Sequence, residues 1–203
     1  MSQAQNMSGT KQNKLASASL SMVLERCALT DELSAKIAGL DTVEAVVRAL
    51  LAGGHGIEAA RVLAHALPKR ESVWWACMCA NHTAGAELTE ADRKPRELAE
   101  AWVFQQTAEL ARAAMDEAKR AGFQSPEAWA GVAAFWSGDS LTPPNTPAVA
   151  PPPHLTGLAV AGAVALAAVR HKPERQPQRL VMFLQSAQDI AVGGTGRLPP
   201  ETP

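Results

Sequence analysis

Cys77, Cys79 and His82 are of the residue types that bind metal ions or supply nucleophiles, and all three fall in the stretch RESVWWACMCANH, Arg70 to His82. A helix turns about 100° per residue, so Cys77 and Cys79 lie about 200° apart and cannot both reach one metal. Cys79 and His82 are three apart and share a face, but two ligands do not make a structural site. The remaining ligands would have to come from His55, His65 or a carboxylate. Nucleophilic use of a thiol asks for a depressed pKa and some exposure. Trp74, Trp75, Ala76, Met78 and Ala80 surround these cysteines in sequence, and such neighbours desolvate a thiol and raise its pKa. No cysteine-hydrolase pattern or oxyanion hole accompanies them. Apolar residues occupy both sides of this helix, which places it at the centre of a bundle with its cysteines packed as small hydrophobes. No catalytic, cofactor-binding or metal-binding residue is assigned, and no cofactor is expected.

Other candidate chemistry reduces in the same way. GGHG, Gly53 to Gly56, precedes a helix but lacks the Lys-Ser/Thr ending of a phosphate loop, and GGTGR at Gly193 runs into Pro199 and Pro200. Both are expected to be punctuation. The most basic short window, RHKPERQPQR, carries Arg170, Lys172, Arg175 and Arg179 against Glu174. These four cations are the expected docking patch for an acidic partner, since local charge tunes encounter and register.

The elements that must carry these residues are helical throughout. Val43, Val46, Val47, Leu50 and Leu51 form one apolar stripe after a cap at Asp41 or Thr42, and IEAARVLAHAL resumes the period until Pro68. A long helix is expected from about Lys94 to Ala121, preceded by a turn capped at Thr89. SPEAWAGVAAFWSG reads as cap, first-turn proline, helix and terminator. Six prolines in LTPPNTPAVAPPP, Leu141 to Pro153, exclude a helix there and favour an extended strap. LTGLAVAGAVALAAV, Leu155 to Val169, is shorter than the roughly 20 residues a membrane span needs and is expected as a core helix. A last helix covers about Gln178 to Val192.

Of 203 residues, 47% are hydrophobic, enough for a sizeable core, while 19% are charged with a net charge of -1, which provides no field for nucleic acid or an anionic membrane. Three cysteines leave an odd thiol, which suits a reducing compartment. The N-terminus lacks the apolar core of a secretory leader. The expected organisation is a tail over residues 1–20, one helical domain over 21–192 with the proline strap at 141–153, and a flexible tail over 193–203. The fold class is all-α: a compact irregular bundle of about seven or eight helices, or alternatively a short solenoid-like stack of helix pairs, although no fixed repeat period is present.

The combination of ESVWWACMCA, AAMDEAKRAGF, SPEAWAGVAAFWSGDSLTPP and PPPHLTGLAVAGAVALAA resembles an uncharacterised family of small all-helical bacterial proteins of unknown function. The resemblance spans about Cys27 to Val192. It implies a bacterial cytoplasmic setting among accessory genes of type VI secretion, and carries no catalytic residues. The expected function is a non-enzymatic interaction module, an adaptor or co-chaperone for a secretion effector or its loading partner. The alternative is a small thiol-dependent enzyme or redox protein built on Cys77, Cys79 and His82.

Overall fold

The computed structural model describes residues 13–202, and its described residues form ten α-helices and no strand. In chain order these are α1 (Leu20–Cys27), α2 (Asp31–Lys36), α3 (Val43–Ala52), α4 (Gly56–Ala66), α5 (Lys69–His82), α6 (Glu90–Gln105), α7 (Ala108–Arg120), α8 (Pro126–Ser137), α9 (Leu155–Val169) and α10 (Gln176–Ala191). Thr30, Thr42, Thr89, Thr107 and Ser125 each cap a helix by accepting a hydrogen bond from the backbone N–H three residues on, at 3.1 to 3.4 Å. One orphan donor is thereby satisfied at each of those helix starts.

Thr107 accounts for the main departure from the expected helices. The single helix anticipated over residues 94–121 is two, because Gln106 takes a left-handed conformation at φ 51° and Thr107 restarts the chain as the cap of α7. The apolar period continues across this break, which is why sequence alone joins the two helices. α7 then packs back along α6.

The bundle is compact and not a solenoid. In a solenoid each repeat touches only its neighbours, whereas α5 packs against α6, α8, α9 and α10, and α9 against α4, α5 and α8. Small residues permit this closeness. Ala159, Ala163, Ala167 and Ala168 of α9 and Ala128, Ala130, Ala133 and Ala134 of α8 are buried. A Cβ on Gly131 would lie 2.8 Å from the Ala114 carbonyl oxygen, so glycine sets how closely α8 approaches α7. Leu155 to Val169 form α9, the expected core helix, buried along most of its length with Leu158 and Val169 exposed. No single described helix is long and apolar enough to cross a membrane.

α5 lies at the centre. Trp75, Cys77 and Cys79 are fully buried, and Trp75 donates its indole N–H to the Phe183 carbonyl of α10 at 2.8 Å. At the periphery, the proline-rich segment closes on itself, with Leu141 N–H bonded to Val149 O at 2.8 Å and Thr142 Oγ1 donating to Pro147 O at 2.8 Å. It is a closed loop with an exposed tip, not a strap across the domain.

Both ends of the described chain are more ordered than a tail. Of the expected N-terminal tail, residues 1–12 lie outside the described residues. Residues Lys14–Ser17 form a 3-10 turn that buries Leu15, with Asn13 donating to Glu44 at 2.5 Å and Lys14 paired with Glu71 at 2.7 Å. A single apolar anchor in a polar stretch has no period to reveal it.

Trp75→Ala is expected to destabilise the fold by about 3–5 kcal/mol, since it deletes a fully buried indole and its hydrogen bond to the Phe183 carbonyl. Urea unfolding followed by circular dichroism measures it, and a loss below about 1 kcal/mol would contradict the central placement of α5.

Candidate functional site

The Cys/His segment is internal. Burial pushes the Cys77 and Cys79 thiols well above the ordinary range, and it pushes Cys27 up to about 12. Nucleophilic or metal-binding thiols require the opposite shift. His82 is buried with its ring edge against Phe183, at 5.8 Å between centroids, and its Nδ1 pairs with the Pro199 carbonyl. His65 lies where α4 meets α9, its imidazole against Gly157, where a Cβ would overlap it. Among the described residues no three His, Cys, Asp or Glu side chains converge on one point.

The four cations expected to form a docking patch do not share a surface. Arg179 is only 1% exposed and donates to the carbonyls of Ala168, Arg170 and Lys172 at 3.0, 2.7 and 3.4 Å, closing the C-terminal end of α9. Its other nitrogens grip both oxygens of Glu201, at 3.1 and 2.6 Å. Arg175 joins the same carboxylate at 3.2 Å and donates to the Thr202 carbonyl at 3.2 Å. Arg170 pairs at 2.7 Å with Glu127, whose side chain is wholly buried. Lys172 is half-buried. The window is basic because the protein needs its positive charge inside, opposite Glu127 and Glu201. Arg179 hydrogen bonds, with Arg175 beside them, draw the Glu201 carboxyl down to about 2.

Glu201 belongs to the segment expected to be a flexible tail. Residues 193–202 run back instead along α5 and α10, held by a succession of polar contacts. Trp74 Nε1 donates to Thr195 O at 2.7 Å, Ser186 Oγ to Gly196 O at 2.5 Å, Gly196 N–H to Asp189 Oδ2 at 2.8 Å and Glu201 N–H to His82 O at 2.7 Å. The glycines of GGTG have a specific use here. Gly193 and Gly196 take left-handed conformations at φ 84° and 60°, and a Cβ on Gly194 or Gly196 would overlap Asp189 or Ile190 respectively.

The returning segment forms one wall of a groove of about 310 Å³, lined by Lys14, Glu71, Trp74, Phe104, Ile190 and Arg197 among others. Arg70 also lines it. Phe104 is 72% exposed and sits edge-on to Trp74, with 5.8 Å between ring centroids. Glu71 is paired with Lys14, so the rim has an excess of positive charge. No motif in the sequence marks this site. Its residues come from the first described turn, α5, α6, α10 and the last segment, and no local pattern joins them; the available signal was a large aromatic at Phe104, next to the end of α6.

Residues 46–191 match a protein family described as a family of unknown function, DUF6931. The chain belongs to this family. No curated protein and no solved structure matches it. The DUF6931 match covers α5 and α10 through Ala191, including Trp74, Phe104 and Arg179, and stops short of both Leu15 and Glu201, which anchor the two ends.

Two measurements follow. All three thiols of this DUF6931 chain should react slowly with a thiol reagent until denaturant is added; fast labelling of Cys77 or Cys79 in the folded protein would contradict their burial. Acid should also weaken the fold in two stages. Burial, aided by Arg26, His154 and Arg61, holds His65 at about 4, below its ordinary 6.5. His65 therefore binds its proton more readily when unfolded, and stability falls as pH drops from about 6.5 towards 4. Glu201 is held at about 2 in place of 4.5, so its contribution is present above pH 4.5 and disappears towards 2. Thermal melts against pH should show both stages in the native protein and only the first in Glu201→Gln.

Proposed function

We propose that this chain is a non-enzymatic interaction module whose Trp74–Phe104 groove receives an apolar segment with acidic flanks from another protein. The observation that carries the reading is Phe104, a phenyl ring 72% exposed beside a half-buried indole, within a rim containing Lys14, Arg70 and Arg197. Aromatic side chains next to arginine are the composition of interface hot spots, where a ring fills a partner's pocket and surrounding charge sets orientation. The surplus of positive charge on the rim favours carboxylates on the incoming chain. The setting implied by the resemblance to an uncharacterised bacterial family, among accessory genes of type VI secretion, favours an adaptor or co-chaperone for a secretion effector, or for the protein that loads it, acting in the bacterial cytoplasm.

Co-expression of the full chain with each product of the adjoining genes, followed by size-exclusion chromatography, tests the reading. One neighbour should co-elute. Phe104→Ala should weaken that complex by about 2 kcal/mol, roughly 30-fold, with an unchanged thermal melt. Arg70→Glu should slow association and flatten its salt dependence. Monomeric elution with every neighbour, or a complex indifferent to Phe104→Ala, would remove the basis for the proposal.

A further inference from the structure

The C-terminal segment is bound as a peptide ligand is bound. It is extended and without internal helix or strand; its backbone groups meet Trp74 and His82 of α5, Ser186 and Asp189 of α10 and Arg175 just before α10, while Arg179 of α10 holds the Glu201 side chain. Thr195, Arg197, Pro199 and Pro200 remain exposed, and Leu198, which packs on the core, is half-buried. The attachment is therefore directional and polar, with little apolar area behind it. Two positions impose chemistry on the occupant. Gly196 sits left-handed where a Cβ would overlap Ile190, and Glu201 is gripped by two arginines. Pro199 and Pro200 hold the intervening backbone extended, which lowers the entropy lost on docking. The channel walls fall within the family match at residues 46–191, while the occupant lies beyond it.

We propose that the channel between α5 and α10 is a peptide-docking site, held in cis by residues 194–202 and open in trans to an extended Gly-x-Leu-Pro-Pro-Glu segment of a partner protein. The occupant's glycine enters against Ile190, its leucine packs on the core, and its carboxylate takes the place of Glu201 between Arg175 and Arg179. This site adjoins the Trp74–Phe104 groove and shares Trp74 and Ile190 with it, but the arginine pair that selects the carboxylate lies outside the groove lining and Phe104 makes no contact that selects the occupant.

A fluorescein-labelled peptide of residues 193–203 tests it, added to the full chain and to the full chain carrying Gly196→Val, whose own segment cannot seat. By fluorescence polarisation the variant should bind the peptide at least tenfold more tightly than the native chain does. Peptides carrying Gly196→Ala or Glu201→Gln should bind the variant at least tenfold more weakly than the native peptide. Adding Phe104→Ala to the variant should leave uptake within twofold, so failure here is separable from failure of the groove. Absence of binding by a variant with a native circular dichroism spectrum overturns the proposal, as does equal binding of the three peptides. If Gly196→Val does not fold, full-length Glu201→Arg, which unseats only the ionic end, takes its place with the same expected uptake. Unfolding of both variants makes the segment an integral part of the domain and overturns docking in trans. A concentration-dependent dimer in place of uptake assigns the channel to a second copy of the chain and overturns the partner assignment.

Discussion

The buried guanidinium of Arg179 is the constraint around which the rest is arranged. A charge removed from water must be met by charge and by hydrogen-bond acceptors. Arg179 finds the acceptors in the carbonyls at the end of α9 and the charge in Glu201, thirty-two residues after the last of the α9 backbone. α9 itself is apolar on nearly every side, and its sequence has no basic residue in the last turn to complement the helix dipole. Arg179 supplies that complement from α10. Meeting the second requirement brings the C-terminal segment back across α5, and this return builds the wall of the Trp74–Phe104 groove.

The second buried ion pair works at the same end of α9. Glu127 stands in the first turn of α8, where a carboxylate suits the helix dipole, and its partner Arg170 caps the chain leaving α9. Together the two arginines fix where α9 stops relative to α8 and α10. Alanine-rich faces pack closely but slide easily, because one small side chain resembles the next. Charged pairs with a single satisfactory geometry remove that freedom, so α8 and α9 gain a defined register from residues outside their own contact surface.

Legibility in the sequence followed the range of the interactions. Caps and apolar stripes are local: Ser125 could be placed, and the start of α3 narrowed to Asp41 or Thr42, because a capping side chain three residues before a helical N–H announces itself in order along the chain. The central position of α5 was equally plain, since apolar residues on both sides of a helix leave it no wet face. Thr107 escaped because its stop falls inside a continuing apolar period. The basic window was recognised as a cluster but placed on the outside, because a cation's partner determines whether it can be buried, and Glu127 and Glu201 are 43 and 22 residues from the arginines that hold them. Leu15 and the glycines after Ala191 were read as parts of tails for the same reason: each is specified by what it meets, not by what adjoins it.

That dependence on distant partners bears on how the groove exists at all. Its lining combines Lys14 from the first turn, Glu71 and Trp74 from α5, Phe104 from α6, Ile190 from α10 and Arg197 from the last segment. Neither terminus forms it alone. Lys14 is held in place by Glu71 and the buried Leu15, and Arg197 by the chain's attachment at Gly196 and Glu201, so both anchors must be engaged before the cationic rim is complete. The helices supply a rigid aromatic floor and Arg70, while Lys14 and Arg197 come from segments secured by polar contacts, which open at lower cost than packed core does. A surface assembled this way keeps its apolar anchor and one cation permanently available and makes the rest of its charge conditional on how those two segments are seated.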